Sequence, residues 1–163
     1  MRATRIRRLT GIAVAGLCAI ALGVGTAAQA ADPIVGTWKL DLAKSTYKPG
    51  PTPKSATAVI TAVGDGIKVA VDAAMPDGTA MKWGYTSARD GKEVPVTGHS
   101  AYDAATATKT SPTEGTVVYS KAGKPVATAK TSVAKDGKTM TVTTTGTDAK
   151  GQAINNMAVF TKS

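Results

Sequence analysis

Few residues of this 163-residue chain have side chains and spacing suited to chemistry. His99 is the one histidine, close in sequence to Tyr102 and Asp103, and a general base is the reaction role such a trio suggests. A lone histidine in a glycine turn is usually solvated, so solvent is the expected surrounding. The carboxylates sit mostly in Asp-Gly turns, where they bond nearby backbone amides. Asp65, Asp72 and Asp77 do not match a calcium loop, and no pair has the spacing of a glycosidase dyad. The single cysteine, Cys18, falls in the first 30 residues, so the rest of the chain has no thiol chemistry. These counts lead to the expectation of no catalytic residues, no metal site, no cofactor and no enzyme activity.

The most site-like feature is apolar. Met81, Trp83 and Tyr85 alternate with Lys82, Gly84 and Thr86, so two aromatic rings and a thioether share one face of a strand. Together with Tyr119, Met140 and Phe160 they are the candidate walls of a pocket for a small apolar or amphipathic molecule, with Tyr85 as a polar handle. Ordinary core packing is the competing reading of the same face.

These residues need a scaffold, and the chain is punctuated as one. From Ile34 onward, short runs rich in Val, Thr, Ala and Ile are separated by glycine turns at Gly66, Gly78, Gly91, Gly115, Gly123, Gly137 and Gly151. Asp-Gly and similar pairs supply the positive φ that tight hairpins require. The rhythm predicts ten strands: 34–42, 55–63, 67–72, 79–86, 92–96, 101–108, 116–121, 125–133, 139–145 and 153–161. One turn of helix is allowed at Ala104–Ala107. The even positions Ile34, Gly36, Trp38, Leu40 and Leu42 form one face, as do Ile67, Val69 and Val71. The expected fold is all-β, an antiparallel up-and-down meander of about 8–10 strands. A closed barrel removes its edges, and a sandwich is the alternative. Such a barrel, with many alanines and threonines, either flattens or encloses a cavity. Ala43 to Lys54, with three prolines, reads as a stiff unpaired connector outside the sheet, or as a flap over the barrel mouth with Tyr47 turned inward.

Residues 1–30 carry four arginines in their first eight positions (Arg2, Arg5, Arg7 and Arg8), continue through an uncharged run from Gly11 to Gly25 and end Ala28-Gln29-Ala30. This is the pattern of a signal peptide cleaved after Ala30. It implies a periplasmic or secreted location, no stable membrane insertion after cleavage, and a single domain over 31–163. Without the leader the charge falls from +9 to +5, 16 basic residues against 11 acidic. The lysines are scattered and Arg89 is the one arginine left, so neither a fork for bases nor a stacking platform for nucleic acid is present. A monomer is expected.

The opening Val35-Gly36-Thr37-Trp38-Lys39-Leu40 resembles the first strand of the calycin barrels, the lipocalins and fatty-acid-binding proteins. In those families a Gly-x-Trp starts the barrel, which implies that Gly36 and Trp38 plug its closed end. The ten strands and the segments Gly137–Met140 and Asn155–Lys162 resemble the fatty-acid-binding branch. The region 34–162 is also similar to small secreted bacterial proteins of unassigned function that begin GTWKLDLAKS. The resemblance implies a lipocalin-like barrel that binds a small ligand. It departs in two places: residues 43–54 replace a two-helix lid, and Ala158-Val159-Phe160 stands where an Arg-x-Tyr would hold a carboxylate. An envelope module docking a protein partner through Ala31–Ile34 and the Ala43–Lys54 strap, like a protease-inhibitor barrel, is the alternative. A structural or stress protein without a ligand is a third.

Overall fold

The computed structural model describes residues 31–148 and 150–163. The expected signal peptide, residues 1–30, lies outside the described residues. Ten antiparallel strands form one sheet: β1 (Gly36–Leu40), β2 (Ser55–Val63), β3 (Gly66–Ala74), β4 (Ala80–Ser87), β5 (Asp90–Pro95), β6 (Ala104–Lys109), β7 (Glu114–Lys121), β8 (Lys124–Val133), β9 (Thr139–Thr147) and β10 (Ala153–Lys162). Their spatial order is β4-β3-β2-β1-β10-β9-β8-β7-β6-β5, so neighbours are sequential except where β1 meets β10. Pairing the first strand with the last wraps the meander into a barrel. The seam falls between β4 and β5, bridged at one point where the Gly84 and Thr97 amides each donate to the other's carbonyl at 3.0 Å. Gly98 makes that approach feasible: its φ is +81, and a Cβ there would overlap the Lys82 carbonyl.

Alternation decides what faces inward. Ile67, Val69, Tyr85, Val117, Tyr119, Met140 and Phe160 are all buried on the inner side, whereas β9 turns Thr139, Thr141, Thr143 and Thr145 the other way. Several inner positions are alanine, including Ala58, Ala105 and Ala129. These alanines do not meet across the barrel, and the interior keeps a void that Ala58 and Ala129 line with residues from strands on all sides. This excludes both the sandwich and the flattened barrel.

Four local expectations are corrected. The first strand covers Gly36–Leu40 rather than 34–42; Leu42 opens a 3₁₀ turn (Leu42–Lys44) and is 43 % exposed, not inward. Ala104–Ala107 is part of β6, because pairing with β7 overrides the local helix preference of alanine. Asp90 and Gly91 belong to β5 rather than to the turn. The segment 43–54 is not unpaired. The Thr46 amide donates to the Met157 carbonyl and Met157 donates back, each at 2.8 Å, and Asn155 N–H donates to the Lys48 carbonyl at 2.8 Å. Only residues 49–53 cross the mouth free of the sheet, because the Lys54 amide donates to the Ala74 carbonyl at 2.7 Å.

Candidate functional site: the barrel interior

A cavity of about 330 Å³ runs along the barrel axis. Met81, Trp83, Tyr85, Tyr119, Met140 and Phe160, drawn from β4, β7, β9 and β10, all line it. Trp38 and Gly36 do not. Trp38 is wholly buried near one end, and Lys162 crosses it with Nζ 4.9 Å from the ring centre; the bare Gly36 leaves room for that lysine. A larger concavity, about 1050 Å³, lies on the outer face of β2–β4 beside the seam. It opens to solvent among Lys68, Asp72 and Lys82, and the Lys82–Asp72 ion pair there is exposed, so the interior is the better candidate.

The cavity has two unlike walls. On one side the rings form a connected array. His99 stacks on Tyr102 with centroids 4.2 Å apart, and Tyr102 stacks on Tyr119 at 4.6 Å. Trp83 meets His99 and Tyr119 edge-on at 5.3 and 5.9 Å, and Tyr85 lies 6.4 Å from Tyr119. Such edge-to-face and offset contacts are the favoured geometries of aromatic pairs. The opposite wall is small and aliphatic, with Ala58, Ala129, Val142 and Ala158 around Met140 and Phe160.

The polar groups in this wall are tuned toward neutrality. Burial raises the Tyr85 phenol to about 12, against a hydrogen bond from Tyr119 and the charge of Arg89, both acting downward. Burial also pushes Tyr119 well above its ordinary value, with the neighbouring Tyr85 and Tyr102 adding to it. Burial, then the charge of Lys121, lowers His99. His99 therefore stands as a neutral imidazole at pH 7, and its Nδ1 accepts the Ala101 amide proton at 3.2 Å, which leaves the proton on Nε2. His99 is half-buried in the ring array, not solvated as expected from its turn, because the loop between β5 and β6 stacks it on Tyr102 of the same loop and against the edge of Trp83 from β4. Asp103 does not serve it: that carboxylate accepts the Ala122 amide at 2.9 Å and pairs with Lys121 at 3.8 Å. No base–orienter pair is assembled around His99. Among the described residues no group of three or more His, Cys, Asp or Glu is placed to hold a metal ion.

Each end of the cavity has its own closure. At the mouth, Tyr47 packs half-buried against the core and lines the void with Pro51 and the buried Pro53. Asn156 holds this strap, its Oδ1 accepting the Lys48 amide at 2.9 Å. The strap is thus a cover with Tyr47 inward. At the other end Ile34 lines the cavity, and the arm carrying it is tied down by Asp32. The Asp32 carboxylate accepts from the Arg89 guanidinium, from Lys109 Nζ at 2.9 Å and from the Ile34 amide at 3.2 Å. Burial alone would raise its carboxyl; the Arg89 and Lys109 bonds outweigh that and hold it below the ordinary aspartate value.

Arg89 is the functional candidate that sequence reasoning missed. It lines the cavity with a side chain only 12 % exposed. The signal was parity: Met81, Trp83, Tyr85, Ser87 and Arg89 continue one period-two series, and Ser87 is as buried as the rings.

No protein-family model matches the chain, and no curated protein matches it. Solved structures do. Rv2717c from M. tuberculosis superposes with a TM-score of 0.51 at 12 % identity, over 80 % of this chain and 93 % of that one. A zebrafish ileal bile acid-binding protein complexed with cholic acid matches at a TM-score of 0.47 and 13 % identity, over 80 % and 99 %. The siderocalin Ex-FABP matches at 0.38 and 17 %, over 80 % and 74 %. At these identities the likeness concerns architecture, and the chain has the fold of the calycin barrels.

Proposed function

We propose that this chain is an exported, non-catalytic binding protein that holds one small apolar or amphipathic molecule inside its barrel. The observation that carries the reading is the interior cavity of about 330 Å³, walled by apolar side chains with a few converging polar groups. Its size, near the lower end for ligand pockets, suits a compact molecule. The outer threonines and lysines support a barrel that works in water, since a membrane barrel carries its apolar band outside. Export rests on the three-part pattern of residues 1–30. The protein-docking alternative drew on the arm Ala31–Ile34 and the strap Ala43–Lys54; both are engaged by the barrel itself, which favours the interior reading.

Native mass spectrometry of the protein recovered from the cells that make it tests this. A stoichiometric adduct that leaves on denaturation is expected, as is 1:1 uptake of N-phenyl-1-naphthylamine by the stripped protein. Ala129→Phe, which places a ring in the void, should abolish uptake while the far-ultraviolet circular dichroism stays that of the parent. A clean mass together with no probe uptake would overturn the reading.

A further inference from the structure

Most of the cavity lining is apolar or neutral, and its charged groups stand at one end. Arg89 reaches its wall from the turn between β4 and β5 with φ +57, a conformation that few non-glycine residues adopt. Its guanidinium makes one hydrogen bond, from Nη2 to Asp32. Nε is buried, and among the described residues it is the one buried side-chain nitrogen or oxygen without a partner. Guanidinium offers five donors and no acceptor, so a buried one with a single partner is under-satisfied. Asp32, its one partner, is shared with the exposed Lys109, whose Nζ lies 2.9 Å from the same carboxylate oxygen. Tyr85 and Tyr119 line the same cavity as Arg89, and the Arg89 charge acts to lower the Tyr85 phenol.

We propose that Arg89 is the head-group residue of the interior site: the molecule held there has a compact, ring-containing apolar body and one anionic oxygen group, seated toward Arg89 and the Tyr85–Tyr119 hydroxyl pair. This rests on the interior-binding reading above and goes beyond it by naming the ligand class. The ring-containing body follows from the aromatic wall of Trp83, Tyr85, Tyr119 and Tyr102, whose edges and faces complement another ring better than a flexible chain. The anionic group follows from the unspent donors: a charge-assisted bond in a water-poor cavity is where such a donor gains most.

Two dyes with the same ring body test this. 1-Anilinonaphthalene-8-sulfonate carries an anionic group; N-phenyl-1-naphthylamine lacks it. Arg89→Gln should weaken the sulfonate ~10- to 100-fold, the range of a lost bond to a charged group, and leave the neutral dye within ~2-fold. Asp32→Asn removes the same ion pair but keeps the guanidinium, so the sulfonate should bind as well as to the parent or tighter. If Arg89→Gln does not fold, Arg89→Lys keeps the charge without the planar fork and should show a smaller loss confined to the sulfonate. Equal weakening of both dyes, or no change for the sulfonate, overturns the head-group role while leaving interior binding intact. Failure of the parent protein to take up either dye overturns interior binding and this inference with it.

Discussion

Trp38 and Ile34 are joined by a hydrogen bond: the indole Nε1–H donates to the Ile34 carbonyl at 2.8 Å. The bond turns the arm back over the barrel end, where Ile34 lines the cavity and Lys162 Nζ donates to the Pro33 carbonyl at 3.0 Å. A wholly buried tryptophan with its polar edge satisfied can close a barrel without leaving an orphan donor.

Trp38 should therefore matter for stability more than for binding. Trp38→Phe should cost about 1–3 kcal/mol, because the Ile34 carbonyl loses its partner and the smaller ring leaves a gap. Thermal unfolding should show a midpoint lowered by several degrees. Dye affinity, measured well below that midpoint, should stay within a few-fold of the parent, since Trp38 does not line the cavity. A large loss of affinity with an unchanged midpoint would contradict the plug role.

Asp32 sets an acid dependence. Its folded carboxyl is held below the ordinary value of 3.8, so the folded state favours the carboxylate. The resulting stability is present above the unfolded value and is lost as pH falls through the folded one. Denaturant midpoints taken from pH 6 down to pH 2.5 should fall more steeply for the parent than for Asp32→Asn. The two curves should converge once the carboxylate is protonated. Parallel curves would mean that the Arg89–Lys109 cluster contributes nothing on folding.

At the alkaline end the buried phenols act in the opposite direction. Tyr85 is raised to about 12 and Tyr119 well above its ordinary 10, so the folded state keeps protons that the unfolded chain releases near pH 10. That stability is complete below pH 10 and declines as pH rises toward the folded values. Absorbance of the phenolates near 295 nm should show no full set of four titrating at pH 10. Tyr85→Phe should remove part of the alkaline decline. A normal titration of all four tyrosines in a folded protein would show that the ring array is open to water.

The ring array also marks how far the sequence was legible. Period two places Met81, Trp83 and Tyr85 on one face; Tyr119, Met140 and Phe160 are candidate walls with no face assigned by the sequence, and the structure turns them inward. Closure of the sheet then brought six residues spread over eighty positions around one void. The alternation failed where pairing stops. His99 and Tyr102 sit in a loop with no period, so nothing in their spacing shows that they stack. Leu42 kept the parity of Trp38 and Leu40, yet the strand ends before it in a 3₁₀ turn. Arg89 kept parity across a turn where parity is not normally trusted. The strap looked unpaired because its partners, Asn155 to Met157, lie more than a hundred residues later.

That distant pairing gives the last prediction. The strap covers the mouth through Tyr47, Pro51 and Pro53, and the Asn156 side chain holds its turning point by accepting the Lys48 amide. Asn156→Ala removes one exposed hydrogen bond, worth about 1 kcal/mol or less. Such a change should open the strap locally without unfolding the barrel. Hydrogen exchange at the Thr46 and Lys48 amides should speed up about 5-fold, the factor that 1 kcal/mol supplies, while amides of β7 and β8 keep their protection. If the strap governs access, release of N-phenyl-1-naphthylamine in stopped flow should quicken by a similar factor. Faster exchange with unchanged release would mean that the ligand passes elsewhere, and the β4–β5 seam beside Trp83, closed only at Gly84 and Thr97, is the one other break in the wall among the described residues.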